Sequence, residues 1–406
     1  MKTRIAYLGY GPRGKSLIGN LLDMDDVEIT VVCELKSDRL EELQKIVEEK
    51  YGHPVYATDN YKYAISRDDV DVVIAPTSFN SHLPIAIEAM KNGKYCGFEV
   101  GPVGNVNDCY ELVKVREETG TPCMVMENCC YGRYELTALN AIKKGLFGEI
   151  VHCRGGYQHD LRCFATLENE CERSYHYINR NGDIYPTHGL GPVMKYLDIN
   201  RGNRMVSLTS MASQSRGFYL KGMEADGENS ICKNGVKLGD VVTTMIKCAR
   251  GETILITHDT SLPRPYSRCN LVQGTKGLWM EDKDSIYIEG RSELDKWEPM
   301  DNYMEEFEHP LWKEFNREGV KGGHGGMDWL LLRSLIESFK NKTDTPIDIY
   351  DSACMIVMSC LSEMSIEKGG TPVDFPDFTS GKWLRREPAA KSKYSLDAVH
   401  DDLFEV

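Results

Sequence analysis

A short apolar run from Arg4 to Gly9 leads straight into Gly9-Tyr10-Gly11-Pro12-Arg13-Gly14, and an apolar helical stretch follows from Ser16 to Leu22. Few sequence features restrict a fold as strongly as glycines at this spacing between a strand and a helix. The first glycine permits a tight turn, the second lets backbone approach a pyrophosphate, and the third lets the helix pack close on the strand. The helix N-terminus then faces the phosphates. A second strand, Val27 to Cys33, ends at Glu34, where a carboxylate can accept hydrogen bonds from both adenosine-ribose hydroxyls and repel a 2′-phosphate. NAD is therefore favoured, with Gly9, Gly11, Pro12, Arg13, Gly14 and Glu34 as its first candidate contacts, while Lys36 and Arg39 leave NADP open.

The alternation continues: strand Val70 to Ala75, helix Leu83 to Asn92, strand Tyr95 to Glu99, helix Asn107 to Thr119 and strand Cys123 to Met126. Strands alternating with helices predict a doubly wound parallel sheet, a Rossmann α/β domain over residues 1–130. Ligands of such sheets sit beyond the carboxyl ends of the strands. Those ends carry Thr77, Asn80 and His82, then Glu99, then Glu127 and Asn128, read together as the cofactor rim.

Past Tyr134 the pattern changes. A helix from Leu136 to Lys144 leads to a turn at Gly145–Gly148. Apolar segments then follow at 207–211, 241–248, 253–259, 269–274, 278–282 and 285–289, mostly without helices between them. This predicts an α+β domain over 131–375 with an open, mainly antiparallel sheet. Helices return at 326–340 and 350–365, and residues 376–406 are expected as an extension on the surface.

Ionisable and aromatic groups gather in two segments of that half. In Gly155-Gly156-Tyr157-Gln158-His159-Asp160-Leu161-Arg162, strand alternation places Tyr157 and His159 on one face. In Asn181-Gly182-Asp183-Ile184-Tyr185-Pro186-Thr187-His188-Gly189, Tyr185 and His188 stand three apart in a glycine and proline frame. Two phenols and two imidazoles can exchange protons near neutral pH without a metal. In Gly322-Gly323-His324-Gly325-Gly326-Met327-Asp328, His324 and Asp328 offer polar ends to a sugar.

Bulk properties narrow the rest. With 406 residues, 41% hydrophobic and 27% charged, the chain has the make-up of an ordinary two-domain globular protein. A net charge of -14 disfavours nucleic-acid or anionic-membrane partners, which need a basic face. No uninterrupted apolar run of about 18 residues is present. The first strand begins at once, which leaves no room for a secretory leader. The 14 cysteines, scattered and including Cys129-Cys130, fit reduced thiols in a cytoplasm better than disulfides, and their spacing matches no zinc site.

The glycine fingerprint followed by an open sheet resembles the Gfo/Idh/MocA oxidoreductases over nearly the whole chain. That family usually has Glu-Lys-Pro after its fifth strand, where this chain has Glu99-Val100-Gly101-Pro102. Its Asp-x3-His is also altered, with Ile184 four residues before His188. These departures fit a particular branch. The Tyr157–Arg162 and Tyr185–Pro192 segments, Pro263-Arg264-Pro265-Tyr266-Ser267-Arg268, Val272–Gly277 and Gly323–Asp328 resemble glycoside hydrolase family 109.

The resemblance implies NAD-dependent α-N-acetylgalactosaminidase activity. Tyr157, His159, Tyr185 and His188 would be active-site residues, Glu127 would lie beside the nicotinamide, and Arg162, Tyr266, His324 and Asp328 would contact substrate. It further implies that a tightly held NAD is recycled. Oxidation at sugar C3 would acidify the C2 proton, the C1 group would be eliminated, water would add, and C3 would be reduced again. The paired carboxylates of most glycosidases would then be unnecessary. A conventional NAD(P)-dependent sugar or polyol dehydrogenase is the alternative, and a homo-oligomer (dimer or tetramer) is expected from the open sheet.

Overall fold

The computed structural model describes residues 2–404. The first half runs β1 (Thr3–Leu8), α1 (Pro12–Leu22), β2 (Val27–Cys33), α2 (Ser37–Tyr51), β3 (Tyr56–Thr58), α3 (Tyr61–Ile65), β4 (Val72–Ala75), α4 (Phe79–Lys91), β5 (Tyr95–Phe98), α5 (Val106–Thr119) and β6 (Cys123–Val125). All six strands are parallel, in the order β3-β2-β1-β4-β5-β6. Order reverses between β1 and β4, which opens the crevice where such sheets take ligands. β1, β4 and β6 are almost wholly buried, consistent with their unbroken apolar runs.

The second half runs α6 (Arg133–Lys143), β7 (Ile150–Gln158), α7 (Glu172–Asn179), α8 (Thr187–Tyr196), β8 (Met205–Ala212), α9 (Gly217–Asp226), β9 (Val241–Cys248), β10 (Thr253–Asp259), β11 (Leu271–Gly274), β12 (Gly277–Met280), β13 (Ser285–Ile288) and β14 (Glu298–Pro299). It ends with α10 (Met304–Phe307), α11 (Pro310–Glu318), α12 (Met327–Asn341), α13 (Ile349–Glu367) and β15 (Val373–Asp374). Its nine strands form one sheet in the order β14-β13-β12-β11-β7-β10-β9-β8-β15. Pairing is antiparallel except between β7 and β10. On β9 burial alternates strictly, with Val242, Thr244, Ile246 and Cys248 turned inward and Thr243, Met245 and Lys247 left open.

The two halves share one hydrophobic core. α12 lies against the nucleotide sheet, where a Cβ on Gly97 would come within 2.8 Å of Leu335 Cδ2. α13 is apolar enough by length to cross a bilayer, yet 78% of that window is buried, as in the core helix of a globular fold. Twelve of the cysteines are buried, Cys163 and Cys171 are exposed, and all are free thiols.

α8 was not legible as a helix, because Gly189, Gly191 and Pro192 argue against one. It forms because its place beside β7 rewards the absence of side chains. A Cβ on Gly155 would strike the Gly189 carbonyl, and a Cβ on Gly189 would strike the Gly156 amide. Backbone therefore lies on backbone, and the N-terminal turn of α8 is pressed against the end of β7.

Residues 376–404 are tied into the interior as well as lying on the surface. Leu396 is 1% exposed, and Asp397 is buried beside the charged end of α8. There Lys195 Nζ donates to Asp351 (2.6 Å) and Asp397 (3.0 Å), while Arg201 pairs with Asp348 (2.5 Å) and Asp351 (3.1 Å). Buried charges of this kind persist only when matched, and removing one partner costs about 3–5 kcal/mol. The segment is thus part of the scaffold of α8 as well as a surface wrap.

The glycine contact generates a direct expectation. Gly189→Ala should lower stability by about 1–3 kcal/mol through overpacking, read as a fall in the thermal midpoint. An unchanged midpoint would show that α8 can lift from β7 at no cost.

Candidate active site

The glycine loop has the shape a dinucleotide needs. Gly9 has φ +99°, and a Cβ there would lie 2.9 Å from the Pro76 carbonyl oxygen. A Cβ on Gly14 would strike the Gly9 carbonyl, whereas Gly11 faces open space, with only Arg39 Nη1 at 3.9 Å. No side chain caps the N-terminus of α1, and Pro12 takes the first-turn position where a missing N–H costs nothing. Glu34, just past β2, accepts the Tyr10 amide at 2.7 Å and the Lys36 amide at 3.0 Å, which holds its carboxylate beside the loop. Thr77 Oγ1 is enclosed with no partner in the fold. These residues fit NAD.

A cavity of about 270 Å³ continues from this loop into the second half of the molecule. Its walls include Arg13, Thr77, His82, Glu99 and Asn128 from the expected cofactor set, and Tyr157, Tyr185 and His188 from the expected catalytic set. His324 also lines it. Asn80 does not; it is exposed, and its amide donates to Glu172. His82 is buried with Nε2 3.1 Å from the Thr77 carbonyl, and burial pulls its pKa down to about 4.

His188 sits in the first turn of α8 with Nδ1 2.8 and 2.9 Å from the two oxygens of Glu127. Glu127 is fully buried just after β6. Burial opposes its ionisation, but the His188 ring and the Cys129 amide outweigh that and hold the carboxyl below its ordinary range. Orientation of Nδ1 by a carboxylate leaves Nε2 as the nitrogen able to exchange protons. Ligand atoms of Glu127, Cys129 and His188 lie within 4.8 Å of one another, a grouping that the cysteine spacing in the sequence did not signal.

Tyr157, next to the end of β7, packs its ring 4.8 Å from Tyr185 and 5.2 Å from His188. Its hydroxyl lies 3.3 Å from His159 Nδ1, so the two remain neighbours although His159 falls just beyond the strand. Burial, helped by the Arg173 charge, lowers the His159 pKa and keeps the ring a proton acceptor. Burial also drives the Tyr185 hydroxyl pKa upward against the pull of Arg173, so Tyr185 stays a phenol and a donor. Tyr266 is not among the cavity's walls; it is 45% exposed, with its ring 5.3 Å from His159.

Two expected substrate contacts are placed elsewhere. Asp328 is fully buried and grips Arg13 with both oxygens at 2.9 Å. It also accepts from Asn128 at 2.8 Å and meets His324 Nδ1 at 2.8 Å. Its carboxylate is consumed in joining the two halves and offers no free end to a sugar. Arg162 forms an ion pair with Asp160 at 2.6 Å and does not line the cavity.

Three residues not expected from the sequence also line the cavity: Phe79, Val100 and Arg173. Arg173, in α7, lies 4.4 Å over the Tyr185 ring and 5.7 Å over Tyr157, with Nη1 enclosed and unpartnered. An arginine four residues before Tyr177 was the available signal, but the segment had not been read as a helix. Phe79, at the start of α4, packs 6.4 Å from Tyr185 and 5.4 Å from His176.

Residues 131–385 match the family model described as glycosyl hydrolase 109, C-terminal domain. The chain belongs to glycosyl hydrolase family 109. Residues 3–127 of this family 109 chain match the model of the oxidoreductase family with an NAD-binding Rossmann fold. An α-N-acetylgalactosaminidase of Tannerella forsythia is 41% identical over 413 residues, covering 95% of this chain and 88% of that one. One of Shewanella oneidensis is 38% identical over 403 residues, covering 95% and 87%. Among solved structures, levoglucosan dehydrogenase in complex with NADH superposes with a TM-score of 0.70 at 17% identity, covering 93% of this chain and 100% of that one. That likeness concerns the fold. Glyco-hydrolytic chemistry thus sits on an NAD-binding dehydrogenase scaffold.

Asp183 underlies the Tyr185 turn. It is 1% exposed, accepts the Tyr185 amide at 3.2 Å, and has Oδ2 without a partner. Burial pushes its pKa from 3.8 to about 7. A raised folded-state pKa means the folded protein holds a proton that the unfolded chain has released, so stability declines as pH rises between 3.8 and about 7. Asp183→Asn should remove that decline from a series of denaturant midpoints measured across this window. A variant with the same pH slope as the parent would place the titration elsewhere.

Proposed function

We propose that this protein is an α-N-acetylgalactosaminidase that recycles a tightly held NAD and works by oxidation-assisted elimination. The observation that carries the reading is the state of Glu99, the carboxylate among the cavity's walls, and of Glu127 behind His188. Glu99 is bound to Arg13 at 2.7 Å and Glu127 to His188 at 2.8 Å. Neither is free to act as the nucleophile or acid of a two-carboxylate glycosidase. Phenols and imidazoles face the same cavity as the cofactor rim instead. The relatives named as α-N-acetylgalactosaminidases support the choice of sugar.

When bound, NAD supplies reversible oxidation of the carbinol at sugar C3. His188, steadied by Glu127, holds and returns the C3 hydroxyl proton through Nε2. Tyr157, paired with His159 and lying under Arg173, takes the proton from C2. Tyr185, kept as a phenol, donates toward the departing oxygen at C1 with His159 assisting. Each general acid–base contact of this kind contributes about 10²–10⁴-fold.

The Arg13–Asp328 clasp supports tight retention of the cofactor, since it ties the glycine loop to the second half beside the cavity. The fourteen free thiols support a reducing, cytoplasmic location, and the net charge of -14 supports a partner list without nucleic acid or anionic membrane. Met211 (64% exposed) and Met245 (44%) stand on the open sheet face, which supports pairing with a second copy of the chain.

The test is hydrolysis of an aryl α-N-acetylgalactosaminide in D2O. Aglycone release without build-up of NADH, and deuterium at C2 of the product, are expected. Product free of deuterium at C2 from active enzyme would defeat the elimination scheme, and stoichiometric NADH would favour the dehydrogenase. Tyr157→Phe should cut turnover by about 10²–10⁴-fold while NAD remains bound. Asp328→Asn should shed NAD during gel filtration, followed by absorbance of the released nucleotide, and full retention would remove the clasp from cofactor holding.

A further inference from the structure

Arg173 is a buried cation held by phenols rather than by a carboxylate. Arg201 and Arg268, also largely buried, sit on Asp348 and Glu135. Arg173 has no carboxylate partner among the described residues. Burial opposes its charge, but Tyr157, Tyr177 and Tyr185 together hold the guanidinium above its ordinary range, so it stays charged. Tyr157 and Tyr185 line the cavity with it. Tyr177 does not, and the proposed mechanism gives it no part.

Tyr177 is fully buried one turn along α7 from Arg173, the spacing at which two helical side chains meet. A guanidinium can only donate hydrogen bonds, so it meets a lone pair of the Tyr177 oxygen. Burial pushes the Tyr177 pKa up to about 12 against the pull of Arg173, so the hydroxyl keeps its hydrogen. That hydrogen has Thr260 Oγ1 as its acceptor, 2.6 Å away. Thr260 follows β10 directly, and its carbonyl accepts the Leu161 amide at 3.1 Å, just past the Tyr157–His159 segment. β10 runs parallel to β7 with His258 opposite Tyr157. One hydroxyl thus joins the helix that carries Arg173 to the strand pair that carries Tyr157. His258 packs beside both phenols, with its ring 6.5 Å from Tyr157 and 6.1 Å from Tyr177. Burial, helped by the Arg173 charge, pulls its pKa down to about 3, so it is neutral and adds no second cation there.

Resting on the elimination reading, we propose that Tyr177, braced by its hydrogen bond to Thr260, is the positioning residue that holds Arg173 over Tyr157 and Tyr185. Arg173 lies 4.4 Å over the Tyr185 ring and 5.7 Å over the Tyr157 ring. A fixed positive charge there favours the negative charge that develops as Tyr157 works on the C2 proton, and a charge placed in advance costs no reorganisation. A guanidinium released from Tyr177 loses that placement. The C3 hydroxyl belongs to His188 and Glu127, so the defect falls on the C2 step and spares the hydride step.

The experiment uses NAD-loaded enzyme and an aryl α-N-acetylgalactosaminide carrying deuterium at C2 or at C3. Tyr177→Phe should lower kcat by about 10–100-fold. It should also enlarge the isotope effect from C2 while leaving that from C3 no larger than in the parent. Thr260→Val should do the same, and Thr260→Ser, which keeps the hydroxyl, should retain the parent values. The double variant Tyr177→Phe/Thr260→Val should fall no further than Tyr177→Phe alone, as expected of two groups acting through one bond. The valine and serine variants decide the matter if Tyr177→Phe does not fold. An unchanged kcat, a loss that leaves the C2 isotope effect unmoved, or losses that multiply in the double variant would each overturn the positioning role alone. A parent enzyme that releases aglycone yet takes up no deuterium at C2 in D2O overturns the elimination reading and the positioning role with it.

Discussion

Backbone lying on backbone at Gly189 and Gly155–Gly156 is the contact on which the active site depends. It lets α8 come closer to β7 than side chains there would allow, and those two elements carry His188 and Tyr157. His188 is one residue from the contact and Tyr157 is one residue past it. Their rings stand 5.2 Å apart as a result. Close packing is rigid as well as near, since interiors tolerate little change in volume. The proton-transfer roles proposed for His188 and Tyr157 would gain from that rigidity, because small displacements are expensive in rate.

Around that contact the site is assembled from both halves, and ion pairs tie them together. Glu127 comes from the nucleotide half and His188 from the other. Arg13 and Asp328 repeat the arrangement on the opposite wall. Each pairing fixes a cavity wall and also neutralises a carboxylate that could otherwise have acted alone. Phenols and imidazoles thereby face the cavity beside residues of the nucleotide-binding half.

Much of this was legible in the chain. The glycine loop, Glu34 and the alternating runs specified the parallel sheet, because a buried strand must be apolar throughout and a phosphate loop needs glycine. Tyr157, Tyr185 and His188 were legible as candidate proton-exchange groups from their residue types, but no local rule says that their two segments converge in space. α8 was hidden because helix propensity opposes glycine, and the tertiary contact that overrides propensity is invisible locally. Arg173 was hidden for a related reason, lying in a polar segment whose helix is held by a buried face. In the sequence a carboxylate beside glycines, as at Asp328, looks the same whether it awaits a ligand or an arginine 315 residues away. The 376–406 segment was read by composition, which reports charge but not whether that charge has a buried counterpart.

The buried charge cluster at the end of α8 has a consequence for the order in which the molecule can be completed. Lys195 leaves the ribosome 202 residues ahead of Asp397, one of the two carboxylates that satisfy it. Until those residues arrive, the helix carrying His188 would seat an ammonium in the core with part of its counter-charge missing. The nucleotide sheet has all its strands by Val125 and can form early, as domains generally do during synthesis. The helix carrying His188 gains its full set of counter-charges only once synthesis has passed Asp397. The seating of α8 on β7 is therefore completed by a residue that lies 272 positions beyond the last strand of the nucleotide sheet, Val125 to Asp397.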